Sequence, residues 1–124
     1  MLNTAPVVCF VPTTDAARGR SFYEHVLGLE FVDEDGFAVT MRANGVRLRL
    51  TRLEQFTPAP FTILGWEVAD IYKMADAFES RGVAFEKFGL PNQDRRGIWT
   101  APGGAKVAWF KDPDGNTLSV AQFG

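Results

Sequence analysis

Along this chain the spacing of apolar residues switches repeatedly between a strand-like and a helix-like period. Positions 6–12 form an apolar run rich in Val and Phe, which predicts a strand. Thr13, Thr14 and Asp15 then offer N-caps. Ala17, Phe22, Val26 and Leu29 fall roughly on one helical face, and Gly28 supplies a stop. A helix over 16–27 follows, then a short strand from 29 to 33 and a turn at Asp35-Gly36. Positions 37–42 and 46–53 alternate apolar and polar around Ala43-Asn44-Gly45, a strong hairpin signal because Asn-Gly suits a type I′ turn. Two prolines mark 56–60 as a linker.

The pattern then recurs. A strand is predicted over 61–68, a helix over 71–80 capped by Asp70 and stopped near Gly82, and a strand over 83–88. Positions 97–101 and 105–110 make a hairpin around Pro102-Gly103-Gly104, and 117–123 closes the sheet. Asp15 and Asp70 start the helices, Gly28 and Gly82 end them, and Phe31 and Phe85 follow three residues later. This internal repeat predicts an α+β fold of two βαβββ modules, about 1–55 and about 61–124, within one domain over 1–124. A helix should cover one face of each sheet and leave the other to line a cavity.

Alternation along the strands sorts side chains between those faces. In the first hairpin Phe37, Val39, Met41, Val46, Leu48 and Leu50 share an apolar face expected beneath the helix. Thr40, Arg42, Arg47, Arg49 and Thr51 share the other. In the second hairpin Trp99, Val107 and Trp109 lie on one face, and Thr100, Lys106, Ala108 and Phe110 on the other. Both of those faces are partly apolar, so the pattern alone does not orient this sheet.

The segment Phe110-Lys111-Asp112-Pro113-Asp114-Gly115-Asn116-Thr117-Leu118-Ser119-Val120 reads as strand, tight turn, strand, with five turn formers in a row. Taken with Ser21-Phe22-Tyr23-Glu24-His25-Val26-Leu27-Gly28-Leu29-Glu30-Phe31, it resembles the vicinal oxygen chelate superfamily. That superfamily includes glyoxalase I, extradiol dioxygenases, fosfomycin-resistance enzymes and bleomycin-resistance proteins. The resemblance implies the two-module fold, a homodimer, and often cavities built from one module of each chain. It also implies that Trp109, three residues before the Asp-Pro-Asp-Gly turn, faces the site and brings Trp99 and Val107 with it. Metal-dependent members place His or Glu at positions that fall here on Val8, Ile63 and Ser119, with an optional fourth near Arg49. Val and Ile offer no donor, Ser119 is a poor one, and Arg49 is a fixed cation. The lone His25 sits in the first helix and makes no constellation.

Composition narrows the function further. A chain of 124 residues with 46% apolar and 23% charged residues suits one soluble domain with a real core. A formal charge of −2 without a basic run argues against nucleic acid. No apolar run is long enough for a bilayer, and Met1-Leu2-Asn3-Thr4-Ala5-Pro6 lacks a secretory pattern, so a cytoplasmic protein is expected. The single Cys9 excludes an internal disulfide, and it is read as a buried, inert thiol. Eleven Phe and three Trp are many for this size, which suggests that some line a site.

The candidate chemistry is that of binding. Trp99 and Trp109 could stack on a planar ligand or serve dimer or core packing. Arg47 and Arg49 could clamp a carboxylate or phosphate, or form a solvated strand face. Glu67 could accept a ligand hydrogen bond, act as a general base, or pair with Arg47 or Arg49 at a cavity rim. Phe10 and Ser119 complete the expected ligand-facing set. Asp112 and Asp114 are explained by their turn. The sequence therefore points to a metal-free dimeric binder of a drug or aromatic metabolite, without cofactor, nucleic-acid or membrane partner. The alternative is a glyoxalase-like lyase, isomerase or dioxygenase, with Glu67 as the catalytic candidate.

Overall fold

The computed structural model describes residues 1–124 as two compact units, Met1–Pro58 and Ala59–Gly124. Each carries a four-stranded sheet, so the fold is α+β with two βαβββ modules.

In the first unit β1 (Val8–Thr13) leads into α1 (Ala16–Ser21), which Asp15 caps by accepting a hydrogen bond from the Arg18 backbone N–H at 3.1 Å. The helix continues over Phe22–Val26 as a wider π-type turn, in which the Leu27 N–H reaches back five residues to the Phe22 carbonyl. The buried face differs from the one read from the sequence already in the regular turns before this widening. Ala16, Gly19 and Tyr23 are buried, whereas Ala17 is exposed. Gly19 allows the close approach, since a Cβ there would lie 3.2 Å from Thr13 Oγ1 and 3.5 Å from Leu50 Cδ1.

Strands β2 (Glu30–Glu34), β3 (Ala38–Ala43) and β4 (Val46–Arg52) complete a sheet of order β1-β4-β3-β2, with β1 and β4 parallel. The hairpin turn has φ of 48° at Asn44 and 79° at Gly45, as a type I′ turn requires. Val39, Met41, Leu48 and Leu50 are almost fully buried, as alternation predicts. Phe37 and Val46, expected with them, are exposed. Phe37 precedes β3 and Val46 follows the Asn44-Gly45 turn, so both stand at strand ends.

The second unit has β5 (Thr62–Glu67), α2 (Ile71–Ser80), β6 (Trp99–Thr100), β7 (Lys106–Lys111) and β8 (Thr117–Gln122), in the order β5-β8-β7-β6. Asp70 caps α2 by accepting from the Tyr72 and Lys73 N–H groups. Ile71, Ala75 and Phe78 face inward, and Phe78 meets Phe110 edge-on at 5.0 Å between ring centroids. Ala108, Phe110, Leu118 and Val120 are buried, which resolves the orientation the sequence left open. The register of β5 against β8 skips Ile63, so Gly65 and Glu67 pair in step with Ser119 and Ala121 while Ile63 has no partner on β8.

The strand expected over 83–88 does not form. Only the Glu86 N–H reaches the sheet, donating to the Trp109 carbonyl at 2.7 Å. The side chain of Gln93 takes the place of a ladder. Its Nε2 donates to the carbonyls of Glu86 and Gly97, and its Oε1 accepts from the Phe88 N–H. No helix is long and apolar enough to cross a membrane.

Gln93→Ala removes three hydrogen bonds and leaves partly buried backbone groups unpaired. It should lower stability by about 1–3 kcal/mol. A urea denaturation midpoint equal to that of the parent would contradict this assignment.

Candidate functional site

In each unit the sheet face away from the helix carries the candidate residues. On the first unit, strand pairing lines them up in rows. Val8, Arg47, Arg42 and Glu30 form one row, and Phe10, Arg49, Thr40 and Asp33 the next. Val8, Phe10, Phe37, Ala38, Arg47, Arg49 and Thr51 line a depression of about 480 Å³. An adjoining one is lined by Pro6, Val7, Val8, Arg42, Gly45 and Arg47. The expected residues Phe10, Arg47 and Arg49 therefore lie together.

Phe37 belongs there too, and alternation misplaced it. It precedes β3, where Asp35 bends the chain by accepting hydrogen bonds from the Phe37 and Ala38 N–H groups at 2.7 and 3.0 Å. The aspartate two residues before Phe37 is the sequence signal for such a turn. Those backbone bonds, Phe37's first, hold the Asp35 carboxyl below the usual carboxylate range, and Arg49 adds a smaller lowering.

The arginines differ in their pairing. Arg49 meets Asp35 at 3.4 Å, and Arg42 meets Glu30 at 3.8 Å. Arg47 is exposed and has no ion pair, although Arg42 stands directly opposite it across the hairpin.

On the second unit, Trp109 is opposite Ser119, and Trp99 is opposite Val107, which is opposite Ala121. Gly65 and Glu67 pair with Ser119 and Ala121 from the other side. Trp99, Trp109, Ser119 and Glu67 thus share one face, as read from the sequence. The two indoles lie 6.0 Å apart, tilted by 37°. Phe88 meets Trp109 edge-on at 5.4 Å, an aromatic neighbour that the expected strand over 83–88 did not place on this face. Gly65 opens the space over Ser119, since a Cβ there would come within 2.6 Å of the serine Oγ. Glu67 is exposed, with no base or donor beside it to orient its carboxylate.

Residues outside these faces have structural roles. Asp112 is buried, and its Oδ1 accepts from the Asp114 and Asn116 N–H groups while its Oδ2 accepts from Asn116 Nδ2. His25 is exposed on the helix, 3.7 Å from Glu24. Cys9 is half-buried.

The profile of the Glyoxalase/Bleomycin resistance protein/Dioxygenase superfamily matches residues 5–120. The chain belongs to this superfamily. Its fold is similar to that of a superfamily member from Sphaerobacter thermophilus DSM 20745, with 22% identity, TM-score 0.78, and coverage of 99% of this chain and 100% of that one. It is also similar to TnmS3, an antibiotic-binding protein from Streptomyces sp. CB03234, with 21% identity, TM-score 0.76, and coverage of 100% and 99%. A lactoylglutathione lyase from Agrobacterium tumefaciens has 19% identity, TM-score 0.73, and coverage of 96% and 93%. No curated protein matches the chain in sequence.

The metal that many superfamily members use does not fit the residues present. Val8 and Ile63 are hydrocarbon, Ser119 is a neutral hydroxyl, and Arg49 is a cation held by Asp35. No three His, Cys, Asp or Glu side chains come together in a way that could hold an ion.

Proposed function

We propose that this protein binds a small aromatic molecule and works without a divalent metal. The observation that carries this reading is the open aromatic platform of Trp99 and Trp109, with Phe88 against its edge. It lies on the same sheet face as Ser119, a position where metal-dependent relatives would need a carboxylate. A stacked planar ring would bury indole surface that is now half-exposed, and Ser119 and Glu67 would supply hydrogen bonds that fix its orientation. The likeness to an antibiotic-binding protein supports sequestration as the role.

We also propose that it does so as a homodimer. Large apolar side chains stay exposed on both units, among them Leu2, Val7, Phe61 and Phe123. Light scattering at micromolar concentration should give twice the chain mass of 13.7 kDa, and a monomeric mass would count against the dimer.

Metal analysis tests the absence of metal chemistry. Protein purified with added Ni²⁺, Zn²⁺, Mn²⁺ or Fe²⁺ should retain no stoichiometric ion. One tightly held equivalent would move the lyase or dioxygenase reading ahead.

Tryptophan quenching by a panel of aromatic drugs tests the platform. Trp109→Ala should weaken a quenching ligand by about 1–3 kcal/mol, the combined scale of an aromatic contact and its buried area. Binding that survives loss of either indole would place the ligand elsewhere.

A further inference from the structure

Three arginines project from one face of the first unit's sheet, and their partners divide them. Arg42 has Glu30 and Arg49 has Asp35. Arg47 is left with no acid and with a like charge directly opposite, an arrangement that costs stability in an antiparallel pair. Asp33, the remaining acid by register, sits on the outer strand in the next row. Two strand spacings and one row step separate it from Arg47, about 12 Å, where solvent and salt screen most of the attraction. Next to this one uncompensated cation are three apolar side chains turned to water, Val8, Phe10 and Phe37, the two phenylalanines 67% and 78% exposed. They border the same depression of about 480 Å³, a volume suited to a small organic ligand.

We infer that this face selects an aromatic monocarboxylate. The ring lies against Phe10 and Phe37, and the carboxylate takes a forked pair of hydrogen bonds from the Arg47 guanidinium. One free positive charge matches one negative charge. A dianion such as a phosphate monoester would need a second arginine, and Arg49 would first have to leave Asp35. The inference rests on the small-molecule reading above only in its broad form; it concerns the first unit's face, apart from the indole platform, and adds the charge class of the molecule bound there and the residue that decides it.

Isothermal titration with three matched probes tests it: 2-naphthoate, the neutral 2-naphthamide, and 2-naphthyl phosphate. In the wild type 2-naphthoate should bind at least about tenfold tighter than the amide, and tighter than the phosphate, and this preference should shrink as salt rises. In Arg47→Gln the preference for 2-naphthoate over the amide should vanish, while the amide binds as before. A ligand-free readout guards against a merely damaged variant. Removing the unpaired charge should raise the melting temperature by about 1–3 °C.

Equal binding of 2-naphthoate and the amide by the wild type would overturn the charge class. A phosphate that binds tightest would overturn the monoanion match. A preference for 2-naphthoate that survives in Arg47→Gln would overturn the role of Arg47. Probe binding that falls as the chain self-associates would show that a second copy covers the face, and would also overturn the inference. No binding of any probe would overturn this inference, and the small-molecule reading falls with it only if the indoles are also unquenched across the drug panel. Probe binding without charge preference would remove this inference alone.

Discussion

Everything chemical on this protein depends on strand register. A strand's side chains alternate between faces with a period of two, so a slip of one residue exchanges core and surface. In the first unit the slip would drive Arg47 and Arg49 beneath the helix and bring Leu48 and Leu50 into water. The Asn44-Gly45 turn prevents it, because both residues hold the positive φ that a two-residue turn demands. In the second unit the same work falls to Asp112 and Asn116. Their buried side chains bond to each other and to the turn backbone, which locks Trp109 opposite Ser119. These turns carry no ligand chemistry, yet they determine which residues can meet a ligand.

That dependence explains what was legible in the sequence. Both turns are made of residues whose conformational preferences are strong and local, so the hairpins could be read directly, and the faces of the first with them; the second sheet's two partly apolar faces left its orientation open. The four inner residues of the first hairpin, Val39, Met41, Leu48 and Leu50, are buried as alternation requires. Most readings that failed involve an end or an interruption of a periodic segment. Phe37 left its expected face because Asp35 bends the chain before the strand begins. The first helix buries Ala16, Gly19 and Tyr23 rather than Ala17, from its first turn onward. The β5 register lost a step at Ile63. None of these leaves a mark on hydrophobic period; the Phe37 turn, for one, is made by the Asp35 side chain.

The segment 83–88 shows the limit from another side. Its Val and Phe residues have the composition of a strand, and propensity alone assigns it to one. Glutamine 93, ten residues on from the start of that segment, satisfies the Glu86 carbonyl and the Phe88 N–H through its own amide. A side chain competing with a ladder for the same backbone groups is a tertiary event. Its consequence reaches the site, because the irregular segment brings Phe88 against the edge of Trp109.

The missing metal donors and the unpaired arginine are two aspects of one electrostatic condition. A divalent ion needs lone pairs and negative charge nearby. The first unit's face offers Val8 and guanidinium groups instead, so its field opposes a cation. The same field attracts an anion, and Phe10 and Phe37 lower the local dielectric in which that attraction acts. Arg49 and Arg42 each meet a neighbouring acid, which leaves Arg47 as a localised positive centre rather than part of a diffuse patch. A localised charge beside an apolar surface discriminates by both charge and shape, whereas an evenly basic surface would accept any polyanion. With no chelating donors on this face, a guanidinium stands where the proposed ligand's negative charge would otherwise meet a metal cation.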